Sequence, residues 1–315
     1  MPHVGVHIDL AGHVLRDWSA NPDHAPVDPS APGVRNAFMA GSIAPDAGFN
    51  PGADRLISEL AHRVRTVRWP AAILERAADD AERAFAWGWL AHVLTDAALH
   101  PEVNRGAVEM LGRDRLVADA AQMWAHARAE LAIDIRSHAR NPELGRERLR
   151  PVFGREAAGR LQEAFEEVYG PGIAGAAIVR AHRIAAFTQR FQLVAGRIHA
   201  RSDRAETVGD RLAGIGVGIV KAVGRRALPD RHLLRAYIDR DPPPGWLIRR
   251  FETYSDELVE RLRAAVGTGM TAVPDLDLGT GLVLDEARPP GPARLALDKL
   301  ARRTGGRPLP ALRAA

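Results

Sequence analysis

The sequence predicts an all-α protein, and three observations lead to this prediction. Apolar residues recur at the three-and-four spacing of a helix face in most segments. Alternating runs of β-branched residues, which mark strands, are few. Apolar residues make up 46% of the 315 residues, while glycine and proline stay below the low-complexity range, so disordered and collagen-like chains are excluded.

The helices follow one another along the chain and are separated by loops rich in proline, glycine, asparagine and aspartate, such as 18–33 and 44–53. Helices are expected at about 4–17, 53–66, 70–100, 114–138, 155–168, 229–239 and 247–266. A further long helix is expected after the breaker at 169–172, because it carries five apolar residues spaced 3, 4, 3 and 4 apart. This stripe consists of Ile184, Phe187, Phe191, Val194 and Ile198, and we expect it to be buried.

The expected domain organisation is a helical domain at 1–200 followed by a helical C-terminal extension at 201–315. The boundary rests on the polar stretch 201–206, which follows the long helix, and a weaker joint falls at Asp241-Pro-Pro-Pro-Gly245. From about residue 270 the chain mixes glycine, proline and short apolar pieces. We therefore expect this tail to be loosely attached.

Composition excludes several classes of function. The chain has no cysteine, which excludes disulfides, thiolate nucleophiles and cysteine-based metal sites, so any metal must be held by His, Asp and Glu. A net charge of +4 does not indicate a nucleic-acid-binding protein. The first residues lack a signal-peptide pattern and no run reaches the roughly 18 apolar residues of a membrane span, so we expect a cytoplasmic protein. The stretch 212–226 is typical of a buried helix or of a segment that lies on a membrane surface.

The most informative segment carries His92, Asp96 and His100 at every fourth position. On a helix these side chains share one face with about 6 Å between neighbours, so they can hold one or two cations that prefer nitrogen and oxygen ligands. The alternative is a solvated polar stripe, but the surrounding segment is apolar on nearly every other side, and buried charges need partners. Pro101 disfavours helical geometry at His100, so we expect the helix to end there. Gly88, one turn before His92, leaves room for another backbone or a substrate.

The next long helix carries a second pair, His126 and Glu130, again four residues apart. This spacing suits one divalent ion held by an imidazole and a carboxylate, with a further ligand from a neighbouring helix. The row continues to Asp134 and His138, for which we expect hydrogen-bonding roles that orient the ligands.

Three more candidate ligands lie earlier in the chain. Asp46 lies in a loop whose backbone is fixed by Pro45 and Gly48, and it could instead shape a turn or cap a helix. His62 ends the sequence Ser-Glu-Leu-Ala-His. His7 lies on an otherwise apolar N-terminal helix, where a hydrogen-bonded core histidine is the alternative.

The order and wording of these motifs resemble the zinc-dependent phospholipase C family, including the related domain of glycosylphosphatidylinositol-specific phospholipase D. The resemblance covers roughly residues 1–140. It rests on Gly-Ser-Ile-Ala-Pro-Asp46, Glu-Leu-Ala-His62, Gly-Trp-Leu-Ala-His92-x-x-x-Asp96-x-x-x-His100-Pro and His126-x-x-x-Glu130. It implies a multi-helix bundle of the zinc-dependent phospholipase C type that holds two or three zinc ions, with a metal-bound water that attacks a phosphodiester.

The resemblance also implies a set of ligands. Asp46, His62, His92 and Asp96 would hold one zinc ion, His100, His126 and Glu130 a second, and His7, sharing Asp96, a third. Asp46 would in addition act catalytically, by orienting or deprotonating the water.

The sequence therefore predicts a metal-dependent hydrolase, with a phospholipid or another phosphodiester as the substrate implied by the resemblance. One alternative is a nuclease or nucleotidase on a related multi-zinc scaffold, which needs an aromatic slot for a base, near Phe49 or Trp124. The other is a non-catalytic helical protein in which the metal is structural, with full protein ligation and no pocket.

Overall fold

The structure, a computed structural model, describes residues 4–111, 119–202, 244–307 and 309–310. Its helices are α1 Val4–Ala20, α2 Val34–Gly41, α3 Arg55–Arg63, α4 Arg68–Glu75, α5 Asp80–Leu111, α6 Asp119–Arg140, α7 Ala157–Tyr169, α8 Gly175–Ser202, α9 Gly245–Thr268 and α10 Gly291–Thr304. Short 3-10 helices lie at Pro22–His24, Pro45–Phe49, Pro142–Arg146 and Met270–Ala272. In these described ranges the only strand-like pairing is an isolated bridge between Leu276 and Val283, so the all-α prediction is confirmed.

The helix predicted at 70–100 is in fact two helices, α4 and α5. Two bonds cap the N-terminal end of α5, since the Glu82 amide donates to the Asp79 carboxylate over 2.8 Å and the Ala78 amide donates to the Glu82 carboxylate over 2.9 Å. The pattern resembles a capping box, except that Glu82 accepts from the residue before the N-cap, and it satisfies the Glu82 amide, which the first turn of the helix leaves without a partner.

Helix α5 also continues through Pro101 to Leu111, so the expectation that it ends at His100 is wrong. Proline removes one main-chain donor from the helix ladder, but the helix continues on the far side. The helix predicted at 229–239 and the segment 212–226 lie outside the described residues.

The chain forms two compact units. The larger unit comprises Leu10–His100, Leu149–Thr188 and Ser255–Ala315, and the smaller unit comprises Met1–Asp9, Pro101–Arg148 and Gln189–Tyr254. The predicted domain boundary at 201 stays a prediction, because residues 203–243 lie outside the described part of the chain. Among the described helices, none combines the length and the apolar character that crossing a bilayer requires.

The core of the larger unit contains an aromatic cluster that joins α4, α5 and α7. The ring of Trp69 lies 4.7 Å from that of Trp89 and 5.4 Å from those of Phe165 and Tyr169. The Tyr169 hydroxyl donates to the main-chain carbonyl of Val64 over 2.7 Å, so the polar tip of the cluster is satisfied inside the core.

Helices α2 and α5 approach each other at two glycines. A Cβ atom at Gly41 would lie 2.1 Å from the Phe85 carbonyl oxygen, and one at Gly88 would lie 2.0 Å from the Phe38 carbonyl oxygen. No other residue allows such a backbone contact, so the expectation that another backbone approaches at Gly88 is confirmed. The contact brings the C-terminal end of α2 beside the predicted ligand row of α5, where the Ser42 carbonyl oxygen lies 2.8 Å from Nδ1 of His92.

The buried face of α8 differs from the predicted stripe. Phe187 is 59% exposed, whereas Ile178, His182, Ala185 and Gln189, spaced 4, 3 and 4 apart, are buried. The prediction is wrong at Phe187 because it followed the largest apolar residues, while the buried face of this part of α8 uses isoleucine, histidine, alanine and glutamine. The side chains of Phe191, Val194 and Ile198 lie outside the described residues.

The described tail at 270–307 is not loosely attached, so that expectation is wrong for these residues. Helix α10 packs on α3, and Lys299 and Arg303 form ion pairs with Glu59 and Asp54. Upstream of α10, the Leu278 amide donates to the main-chain carbonyl of His62 over 3.1 Å. The tail is held because its polar groups are paired with those of α3.

Candidate metal centre

Three of the predicted ligands converge inside the larger unit. Asp46 comes from the 3-10 helix Pro45–Phe49, His62 from α3 and His92 from α5, and all three are buried. One ligand atom from each lies within 4.8 Å of the others. Residues separated by up to 46 positions in the sequence therefore meet at a single point, as the sequence predicts.

Asp96 joins this cluster through one oxygen. Its Oδ2 atom lies 3.1 Å from Nε2 of His92 and 3.6 Å from Nε2 of His62, while Oδ1 of Asp46 lies 3.2 Å from the same His62 nitrogen. His100 approaches Asp96 from the other side, with its Nε2 atom 3.6 Å from Oδ2. Asp96 is thus shared among three imidazoles.

The tautomers of the two central histidines are fixed by main-chain carbonyls. Nδ1 of His62 lies 2.8 Å from the Ser58 carbonyl oxygen, and Nδ1 of His92 lies 2.8 Å from the Ser42 carbonyl oxygen. A carbonyl only accepts, so in both rings Nδ1 carries the hydrogen and donates it. In its neutral form each ring therefore points the lone pair of Nε2 at the carboxylates.

Lone pairs facing carboxylate oxygens at these distances repel unless a positive charge lies between them. Both oxygens of Asp46 and Nε2 of His62 are buried without a well-formed hydrogen bond to the described protein atoms. Imidazole nitrogen and carboxylate oxygen are ligands that zinc accepts, and a histidine that donates through its other nitrogen is the usual arrangement around zinc. The residues present therefore fit a divalent cation of this kind.

The pKa of Asp46 is consistent with this arrangement. Burial alone raises the pKa of this carboxyl, but the close approach of His62 Nε2 and the charge interaction with His92 outweigh burial and hold the pKa below its ordinary value of 3.8. Asp46 is therefore ionised at neutral pH.

The turn that carries Asp46 is fastened to α3. The Gly48 amide donates to the Ser58 hydroxyl over 2.7 Å, and a Cβ atom at Gly48 would lie 2.5 Å from the Asp54 carbonyl oxygen. Thr188 donates to the side chain of Asn50 just after the turn, over 2.7 Å. Because the turn and α3 are bonded to each other, Asp46 and His62 are placed as a pair.

The side chains of the cluster differ in their exposure. The exposed fraction of the side chain is 0% for His92, 2% for Asp96 and 6% for Asp46, and it rises to 10% for His62 and 14% for His100. The part of the cluster nearest to solvent is therefore formed by His62 and His100, although Nε2 of both rings is buried.

Comparison with protein families places this cluster in a known context. Residues 6–170 match the family described as zinc dependent phospholipase C, which is just over half of the chain. The chain belongs to this family. Membership indicates a zinc-dependent hydrolase with an all-α fold, as the sequence predicts. No curated protein and no solved structure matches the chain.

The region matched to the zinc-dependent phospholipase C family includes all eight predicted ligands but ends before α8. Two of these ligands, His126 and Glu130, lie on α6 in the smaller unit, with Nε2 of His126 2.9 Å from Oε1 of Glu130. Nδ1 of His126 lies 2.8 Å from Oδ1 of Asn104, which accepts its hydrogen. Asn104 was not identified from the sequence, although it lies four residues after His100 and continues the row of His92, Asp96 and His100. The metal-binding role of His126 and Glu130 stays a prediction.

His7 is the last of the eight predicted ligands. It is buried on α1, and its metal-binding role also stays a prediction. In the same unit Nδ1 of His138 donates to the Asp134 carbonyl oxygen of its own helix over 2.9 Å, and the expectation that His138 orients a metal ligand stays a prediction. A Cβ atom at Gly5 would lie 2.2 Å from Oδ1 of Asp134, so α6 packs tightly against the first turn of α1.

The nuclease alternative needs an aromatic slot for a base, near Phe49 or Trp124. The ring of Phe49 lies 5.3 Å from that of His62, and the guanidinium of Arg55 lies 5.5 Å from the centre of the Phe49 ring. Phe49 is therefore beside the cluster but already engaged by both neighbours. The side chain of Trp124 lies outside the described residues.

Proposed function

We propose that this protein is a zinc-dependent phosphoester hydrolase that acts on a phosphodiester, with a phospholipid as the leading substrate. The observation that carries the proposal is the buried convergence of Asp46, His62, His92 and Asp96, with both central imidazoles locked so that Nε2 faces the carboxylates. Family membership supports the reaction class, and the phospholipid follows from the description of the family.

The four residues would hold one zinc ion. When bound, zinc supplies Lewis-acid activation of water and neutralises charge on a phosphoryl group, which suits displacement at phosphorus. The chain's own contribution is to keep the four ligands oriented and shielded from bulk water. The ion expected at His100, His126 and Glu130, and the further one at His7 and Asp96, stay predictions, as does the cytoplasmic location.

Asp46 is assigned the role of orienting the attacking water. Its carboxylate offers two oxygens, of which Oδ1 faces His62 at 3.2 Å, so the other can accept a hydrogen from water. A pKa below the ordinary value makes Asp46 a poor acceptor of a full proton at neutral pH. Of the two catalytic roles expected from the sequence, orientation is therefore favoured over deprotonation.

The test combines metal analysis with turnover. Purified protein is assayed for zinc and for hydrolysis of phosphatidylcholine vesicles, soluble phosphodiesters and phosphomonoesters, before and after chelation. We expect bound zinc and chelator-sensitive turnover of phosphodiesters, restored by added zinc. Zinc without turnover on any phosphoester would favour the structural-metal alternative, and nucleotide-specific turnover would favour the nuclease alternative.

Variants sharpen the test. His92→Leu removes a central ligand, so we expect its zinc affinity to fall by more than the roughly 10–100-fold caused by loss of an outer partner. His182→Leu is the matched control, since His182 is another buried histidine of the larger unit and lies outside the cluster. Equal zinc loss in both variants would contradict the assignment.

A further inference from the structure

The helix that carries His62 is held by residues that lie outside the family region. The match ends at residue 170, whereas Leu278, in the C-terminal tail, donates its amide to the main-chain carbonyl of His62 over 3.1 Å. The carbonyl of a residue at the end of a helix has no partner within the helix. Leu278 therefore fixes the backbone of a predicted metal ligand directly.

The junction between α3 and α4 is paired with the same tail over several residues. The buried hydroxyl of Thr66 donates to the Leu276 carbonyl over 3.0 Å and accepts from the Leu276 amide over 2.9 Å. The carboxylate of Asp275 accepts from the amides of Val67, over 2.7 Å, and Arg68, over 3.2 Å. The tail thus provides hydrogen-bond acceptors for the amides of Val67 and Arg68, which would otherwise need water or another part of the chain.

Arg65, in the same junction, is held in a conformation that it would not adopt alone. Its φ angle is 49°, in the left-handed region that costs a residue with a side chain free energy. The buried guanidinium makes a two-pronged ion pair with Glu286, at 2.9 and 3.0 Å, and donates to the carbonyls of Val168 and Pro310. These bonds keep the chain in the sharp turn that ends α3.

The other end of α3 is bonded to α10. Asp54 caps α3 by accepting from the Leu56 amide over 3.1 Å, and the same carboxylate is paired with Arg303. One turn further along α3, Lys299 contacts both oxygens of Glu59 at 2.6 and 2.7 Å. The tail therefore contacts both ends and the outer side of a helix of nine residues.

We propose that residues 275–303, here called the C-terminal clasp, position His62 for metal binding, with Thr66 and Asp275 as the positioning residues at the junction. This inference rests on the proposed metal centre. A helix of nine residues has little stability of its own, so its placement depends on what it packs against. The functional unit of this protein accordingly extends beyond the family region to include α10.

The experiment measures binding of Co²⁺, a spectroscopic substitute for zinc, to the full metal-free chain. Thr66→Val keeps the shape of the side chain but removes both hydrogen bonds with Leu276, and Asp275→Ala removes the acceptor for two amides. We expect each variant to bind Co²⁺ about tenfold more weakly, the lower end of the effect of losing a group bonded directly to a ligand, because Thr66 and Asp275 act on His62 through the backbone. We also expect an altered d–d absorption band. Thr66→Ser retains the hydroxyl, so we expect it to restore the band and the affinity.

A control separates positioning from general stability. Gln162→Ala removes the hydrogen bond that the Gly175 amide donates, in the same unit and away from both α2 and α3, and we expect wild-type Co²⁺ affinity. The inference is overturned if Thr66→Val and Asp275→Ala bind Co²⁺ like the wild type, or if Gln162→Ala weakens binding as much. Wild-type protein that binds no Co²⁺ would overturn the proposed metal centre itself, and the inference with it.

Discussion

Replacement of Gly88 by alanine tests the link between helix packing and the metal centre. The new Cβ atom would lie 2.0 Å from the Phe38 carbonyl oxygen, and real Cβ contacts essentially never fall below 3.0 Å, so α2 and α5 must separate by about 1 Å. The bond from Nδ1 of His92 to the Ser42 carbonyl is 2.8 Å long, and a separation of that size breaks it.

The expected cost follows from these changes. Overpacking a core costs about 1–3 kcal/mol and the lost hydrogen bond about 1 kcal/mol, while replacing a helical glycine by alanine returns about 1 kcal/mol. We expect Gly88→Ala to lose about 1–3 kcal/mol in the free energy of unfolding, measured by urea denaturation of the metal-free protein. Zinc affinity should fall about tenfold or more, because His92 loses the acceptor that fixes its tautomer.

Gly159→Ala is the matched control for this experiment. Gly159 lies in α7, and a Cβ atom there meets nothing within 4 Å, so this variant should gain up to about 1 kcal/mol and keep its zinc affinity. Gly88→Ala with wild-type stability and zinc affinity would refute the close contact between α2 and α5 and its role in placing His92.

Two more predictions concern the core of the larger unit. His182 is buried among aromatic rings, and burial lowers its pKa from 6.5 to about 4. As the pH falls, the histidine is therefore protonated in the unfolded chain before it is protonated in the folded one. The free energy of unfolding should drop by about 3 kcal/mol between pH 6.5 and 4. In His182→Leu that contribution to the pH dependence should vanish in urea denaturation at pH 7 and pH 4; an unchanged profile would contradict the assignment. Tyr169→Phe removes the hydrogen bond to the Val64 carbonyl and should cost about 1–2 kcal/mol at neutral pH, whereas no change would mean that water replaces the hydroxyl.

The ligand row on α5 was predictable because it needs only helix geometry. His92 and Asp96 occupy one face at four-residue spacing in an apolar segment, and both are buried in the structure. The break between α4 and α5 also had a readable signal, since Asp79 and Glu82 have the spacing of a capping box. That signal was overlooked because the apolar pattern continues on both sides of it.

Other features have no local signal. The acceptors that fix the tautomers of His62 and His92 are main-chain carbonyls, which every residue carries, so only the packing of α2 and the geometry of α3 select Ser42 and Ser58. The clasp joins residues about 210 positions apart, such as Thr66 and Leu276, and nothing near either residue specifies the other. Pairings of this kind become visible only when the chain is folded.

The clasp and the glycine contact address the same physical problem, which is to hold the metal ligands together before the metal is bound. Gathering imidazole lone pairs and carboxylates in a buried site is unfavourable in the metal-free protein, because buried charges need partners. A flexible site would relax by moving its ligands apart, and metal binding would then have to reverse that motion. Because α3 is bonded to the clasp at both ends and α2 lies against α5 through Gly41 and Gly88, the ligands cannot separate without breaking the surrounding structure. The unfavourable charge arrangement is therefore retained and is offset when the cation binds, which is why we expect bound metal to raise the stability of the larger unit.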